Sequence, residues 1–141
     1  MYWLVYLQDW LTNLCKLLVV LQNAYGVEDG YVPSYDRESF RNCHTGRRLK
    51  EVLPDGIIPE IINSNPKVGD ISSSYFKPDI DYVKKQIEKI KPEVILFCGA
   101  NGKILIEQIG FPNSVHMPHP AYRALTKKMT SDTKEKIKEL L

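Results

Sequence analysis

Short runs of consecutive apolar residues, set between stretches of helical periodicity, constrain this chain more than any other feature. Leu17-Leu18-Val19-Val20-Leu21 and Val94-Ile95-Leu96-Phe97 contain no polar member, and Ile57, Ile58, Ile61 and Ile62 mark a third apolar segment. A strand with one wet face alternates apolar and polar residues, so a run without alternation is covered on both faces. Between the runs, Ile80, Val83, Ile87 and Ile90 recur at the spacing of one helical face. Strands buried on both sides and alternating with helices specify a parallel sheet between helical layers. The expected fold is therefore α/β: a single domain over 1–141, a three-layer α/β/α sandwich around a four-stranded parallel sheet.

Local signals set the expected boundaries. Trp3, Leu4, Leu7, Trp10, Leu11 and Leu14 predict an amphipathic helix over about 3–16, ahead of the first strand at Leu17–Leu21. The polar stretch 27–44 reads as a long loop, and long loops line sites more often than short ones. Thr45 is placed to cap a helix over 46–53, which Pro54-Asp55-Gly56 stops. Pro59 argues that the second strand starts late. A loop then runs through Tyr75, and Pro78 sits near the start of the helix that Pro92 ends. After the third strand, Cys98-Gly99 turns into a helix over about 101–109. Asn113–His116 forms a short fourth strand, and a lysine-rich helix follows.

Charge and cysteine usage narrow the function classes. The net charge of +2 gives no global basic field that would announce nucleic acid. Lys127, Lys128, Lys134, Lys136 and Lys138 interleave with Asp132, Glu135 and Glu139, the pattern of a solvated helix face, although a local positive patch also fits. Cys15, Cys43 and Cys98 are widely spaced, with no C-x-x-C pair, which suits neither a zinc site nor a disulfide framework and favours a reducing cytoplasm. The apolar segment Met1–Leu21 is interrupted by Gln8, Asp9, Asn13 and Lys16, so neither a signal peptide nor a membrane span is expected.

In a parallel α/β sheet the ligand crevice lies beyond the carboxyl ends of the strands. Gln22-Asn23, Asn63-Ser64-Asn65 and His119 each follow a strand end, so they should gather on one rim. Asn23 can orient a water, and Tyr25-Gly26 permits close backbone approach, though an asparagine-initiated turn explains them equally. Asn63 or Asn65 offers a paired donor and acceptor to a planar edge; Asn65-Pro66 is also an ordinary loop opening. Phe40 or Tyr35 can stack on a flat ligand or belong to the core. In Met117-Pro118-His119-Pro120, the two prolines restrict the backbone on either side of the imidazole. That stiffness suits a group held against developing charge, and it suits a proline-rich turn with a solvated histidine as well.

Leu17–Gly26, an apolar strand followed by a Gln-Asn loop closed by glycine, resembles the first motif of the uracil-DNA glycosylase superfamily. Ser39-Phe40 followed by Thr45-Gly46-Arg47-Arg48-Leu49 is similar to that family's stacking aromatic and the helix start after it. Ile61-Ile62-Asn63 is similar to the strand ending in the base-reading asparagine. Pro92–Gly99 resembles the third strand with its terminal glycine. His119-Pro120-Ala121 matches the start of the His-Pro-Ser loop, with Tyr122-Arg123 where the family places its wedge. The likeness runs over roughly 15–128.

The resemblance implies a DNA N-glycosylase acting on uracil or a related base, in single- or double-stranded DNA. Asn23 would position the hydrolytic water and His119 would stabilise charge on the base carbonyl. Gln22, Tyr25, Phe40 and Asn63 or Asn65 would bind the base, and Tyr122, Arg123 and Lys127 would contact DNA. No metal or organic cofactor and no membrane partner is expected, and a monomer is the default. Two departures stand out. Asn23 occupies the place of the stronger general base, aspartate, and Ala121-Tyr122 replaces Ser-Pro or Ser-Gly. They favour an alternative: a catalytically weak or inactive protein of this fold that binds nucleic acid or a protein partner. An α/β enzyme acting on a free nucleotide or nucleoside is the third reading.

Overall fold

The computed structural model describes residues 15–22, 33–66 and 77–141. Four strands, β1 (Leu17–Leu21), β2 (Glu60–Asn63), β3 (Val94–Cys98) and β4 (Ser114–Met117), form one sheet in the order β2-β1-β3-β4. Every pairing is parallel; Val19 lies beside Ile61 and Leu96, and Leu96 beside Val115. The two strands without a polar residue in the expected runs are the two central ones, and all residues of β1 and β3 are buried.

Side-chain alternation splits these strands between two cores. Leu17, Val19, Leu21, Ile61, Val94, Leu96, Val115 and Met117 face one layer, where they pack with Phe40, Leu49, Val52, Leu125 and Ile137. That layer holds α1 (Glu38–Asn42), α2 (His44–Lys50) and α5 (Lys127–Leu140). Leu18, Val20, Ile62, Ile95 and Phe97 face the other, against α3 (Ile80–Ile90) and α4 (Gly99–Ile109), which contribute Val83 and Leu105. The result is an α/β fold consistent with the expected three-layer α/β/α sandwich on a four-stranded parallel sheet.

Several boundaries move for identifiable reasons. The helix expected over 46–53 with Thr45 as its cap begins at His44, because the Cys43 sulfur accepts from the Gly46 N–H at 3.3 Å. It ends at Lys50, beyond which tighter turn bonds such as Val52 N–H to Leu49 O take over. Within the expected loop 27–44, the described part from 33 onward contains the short helix α1. The strand β2 starts at Glu60, directly after Pro59, as the proline requires. The helix α3 starts after Asp79, whose carboxylate accepts from the Tyr82 N–H at 3.1 Å.

The helix α4 begins at Gly99, two residues before the expected start. Gly99 has φ +80°, so the chain turns from strand into helix without a linker. The fourth strand is displaced by one residue, to Ser114–Met117, with Asn113 outside it, its carbonyl accepting from the Ile95 N–H.

Residues 3–14 of the expected N-terminal helix lie outside the described residues, and Cys15 and Lys16 are not helical. The lysine-rich helix α5 buries Thr130, Thr133 and Ile137 and exposes Lys127, Lys128, Lys136 and Lys138. Its two buried threonines are satisfied locally, donating to the carbonyls of Lys127 and Met129. Among the described residues no helix is long and apolar enough to cross a membrane.

Candidate active site

The carboxyl ends of β1, β3 and β4 are three neighbours in the sheet, and a cleft of about 670 Å³ opens above them. From the end of β1 comes Gln22; from the β3–α4 turn come Gly99, Ala100 and Lys103; from β4 and the loop after it come His116, Pro118, His119, Ala121 and Tyr122. The structure thus brings Gln22, His119 and Tyr122, three of the residues singled out in the sequence, to one cleft. Its volume falls within the range of about 300–1,000 Å³ common for small-molecule sites.

The prolines at 118 and 120 hold the loop, and hydrogen bonding sets the chemistry of its imidazole. The Ala121 N–H donates to His119 Nδ1 at 3.0 Å. Nδ1 therefore carries a lone pair, and in the neutral ring the proton resides on Nε2, which becomes a donor. Burial, reinforced by the positive field of His44, lowers the His119 pKa from its ordinary value. Protonation would also place a hydrogen on Nδ1 against the Ala121 N–H. The structure holds this residue as a neutral donor.

A pH dependence follows. Between the ordinary imidazole value of about 6.5 and the lowered folded one, the unfolded chain binds a proton that the folded chain refuses. Stability from this group is therefore complete above about 6.5 and declines as pH falls through that window. Urea unfolding at a series of pH values should show the decline, and His119→Asn should reduce it; an equal decline in the variant contradicts the assignment.

His116, on β4, was not singled out in the sequence. Its Nε2 lies 2.8 Å from the Gly99 carbonyl oxygen. A carbonyl only accepts, so this nitrogen carries the proton and donates. The bond ties β4 to the turn at Gly99, where an added Cβ would sit 2.9 Å from the Gln22 side-chain nitrogen. Gln22, Gly99 and His116 are therefore neighbours in one wall, and the φ of +80° at Gly99 is what favours glycine in its middle.

The second strand end joins the first through Ser64. Its backbone N–H donates to Leu21 O, its hydroxyl donates to Gln22 O, and the Asn65 N–H also donates to Gln22 O. The Asn101 amide of α4 donates to the Ser64 hydroxyl at 3.4 Å. Ser64 is fully buried at the meeting point of β1, β2 and α4. Ser64→Ala should cost about 1–2 kcal/mol, because it removes the hydroxyl's two hydrogen bonds, to Gln22 O and from the Asn101 amide, at a buried junction. Denaturant unfolding with an unchanged midpoint would remove that role.

Asn63 ends β2 beside Leu21 and is 5% exposed, with no side-chain hydrogen bond among the described residues. The Asn65 amide donates to Lys77 O at 2.9 Å, as a loop-stabilising residue does. Neither asparagine lines the cleft, and β2 and β4 occupy opposite edges of the sheet, about 14 Å apart at strand spacing. Phe40 lies in the core at 8% exposure, its ring edge-on to Tyr35 at 6.4 Å. Of the two readings of this aromatic, the structure supports the core. Asn23 and Tyr25 lie outside the described residues.

Tyr122 is 54% exposed at the mouth of the cleft, and Arg123 and Lys127 are exposed beyond it. The loop is anchored at its far end by Arg48 of α2, which donates to Leu125 O. Among the described residues no group of three His, Cys, Asp or Glu side chains is placed to hold a metal ion. Burial pushes the Cys98 thiol up to about 12, so it stays protonated and acts as a core residue.

No family model, curated protein or solved structure matches this chain. The fold and the cleft define an α/β protein with a histidine-bearing crevice at its strand ends, and its function is read from that site alone.

Proposed function

We propose that this chain is a DNA glycosylase, a hydrolase that cleaves the N-glycosidic bond of uracil or a related base during base excision repair. The observation that carries the reading is the neutral His119. Its Nδ1 is occupied by the Ala121 N–H, so its Nε2–H is the donor, on a proline-stiffened loop lining the same cleft as Gln22.

That donor matches the chemistry of the reaction. A water oxygen bonds to C1′ of the sugar as the C1′–N1 bond breaks. The bonding pair passes to the base, where charge spreads onto a ring carbonyl, and the proton released by water ends on the base or in solvent. A preorganised N–H at that carbonyl stabilises the departing anion without itself titrating. The base must first leave the stack at a cost of about a few kcal/mol, which edge contacts and an exposed aromatic such as Tyr122 offset. Asn23 keeps the water-positioning role implied by the resemblance, whereas Asn63, which does not line the cleft, is given no part in reading the base, and Gln22 is the amide left to bond its edge. Arg123 and Lys127 are assigned to the DNA backbone.

Incubation with uracil-containing single- and double-stranded oligonucleotides, followed by alkali, tests the proposal. Strand breaks at the uracil position are expected. Binding without breaks would move the assignment to a second reading, a weak or silent member that binds nucleic acid or a protein partner. One observation favours that second reading: Asn23 stands where an acid would activate water, and no carboxylate lines the cleft among the described residues.

A further inference from the structure

The glycosylase reading uses the loop side of the cleft and leaves the α4 side without a role. That side is the first turn and a half of α4, and Lys103 projects from it to line the same cavity. We propose that Lys103 forms a phosphate subsite for a phosphodiester flanking the extruded base, so that the cleft recognises a nucleotide within a DNA strand rather than a free base. The inference rests on the glycosylase reading and adds to it the part of the substrate that the α4 side takes.

Three observations carry it. The first is size: about 670 Å³ is more than a single pyrimidine ring fills, so a base against His119 leaves room beside it. The second is charge. Lys103 is the one fully charged side chain among the described lining residues, the others being imidazole, amide, phenol and apolar groups. It makes no ion pair among the described residues, and the first turn of α4 carries no acid. A concave surface with a cation and no carboxylate concentrates anions.

The third is connectivity of the substrate. A base extruded from a strand brings its own phosphates to the rim of the pocket. An ammonium on a flexible stem binds such a group as a point charge, without the fixed geometry a guanidinium demands. Arg123 and Lys127 lie outside the cleft and meet more distant parts of the strand.

The test measures affinity against salt concentration for an oligonucleotide carrying 2′-fluoro-2′-deoxyuridine, whose electron-withdrawing fluorine blocks bond cleavage. Each phosphate contact contributes about 0.7–0.9 to the slope of log affinity against log salt. Lys103→Gln should make the slope shallower by about that amount, Lys103→Arg should restore it, and Lys89→Gln, on the exposed face of α3, should leave it as in wild type. A wild-type slope in Lys103→Gln, with wild-type protein still excising uracil, overturns this inference alone. Absence of both excision and uracil-dependent binding in wild type overturns the glycosylase reading beneath it. Weaker inhibition of Lys103→Gln by deoxyuridine monophosphate, with an unchanged oligonucleotide slope, would assign the subsite to a free nucleotide and end the DNA assignment.

Discussion

Replacing His119 with alanine is expected to slow uracil excision about a hundredfold. Loss of one preorganised donor at a developing oxyanion typically costs about 10²–10³ in rate, and the Nε2–H of His119 is the donor assigned to the base carbonyl. The variant should still fold, because the loop keeps the Tyr122 N–H to His119 O bond, the two prolines and the Arg48 anchor at Leu125. Single-turnover excision, measured beside circular dichroism, checks both halves. A folded variant with a rate within about threefold of wild type would remove His119 from the chemistry. A lower rate with unchanged oligonucleotide affinity would place the loss in the transition state, where the tautomer argument puts it.

Gly46→Ala should produce the largest loss of stability among simple substitutions, about 3 kcal/mol or more. A methyl group at this position would lie 1.9 Å from the Phe40 carbonyl oxygen and 2.8 Å from its carbonyl carbon. These are backbone atoms of α1, so no rotamer change relieves the contact. Relief requires α1 and α2 to separate, which withdraws Phe40 and Leu49 from the core they share. Overpacking of this kind commonly costs about 1–3 kcal/mol, and rigid backbone on both sides puts this site at or beyond the upper end. Urea unfolding should show a lower midpoint at similar slope; a midpoint equal to wild type would mean that the helices are not in the contact described.

The sheet was legible because its strands leave no choice. Leu17–Leu21 and Val94–Phe97 cannot tolerate a wet face, and Pro59 alone delays β2 to Glu60. Helix starts were less legible where the device was unusual. A thiol at Cys43 caps α2, and Thr45, the more familiar capping type, sits two residues too late, inside the helix.

The site divides the same way. The strand-end rule places Gln22 and His119 on one rim from local pattern alone. Lys103 and His116 escaped because both sit inside regular elements, and only the strand order β2-β1-β3-β4 decides that those elements border the cleft. That order also sends Asn63 to the far edge, a separation no run of neighbouring residues encodes. Phe40 shows the limit for aromatics: its spacing fits a ligand platform and a core residue alike, and packing against Leu49 and Val52 chose the core.

The placement of β1 in the middle of the sheet has a consequence for biogenesis. Leu17 pairs with Val94, and Leu21 with Asn63, so both partners of the first strand emerge long after it does. During synthesis a greasy ribbon capable of joining almost any other edge stays naked until the residues of β2 and then β3 have left the ribosome. Pairings this distant in sequence close slowly. Closure of the sheet should therefore wait on the arrival of β3 rather than on the formation of β1.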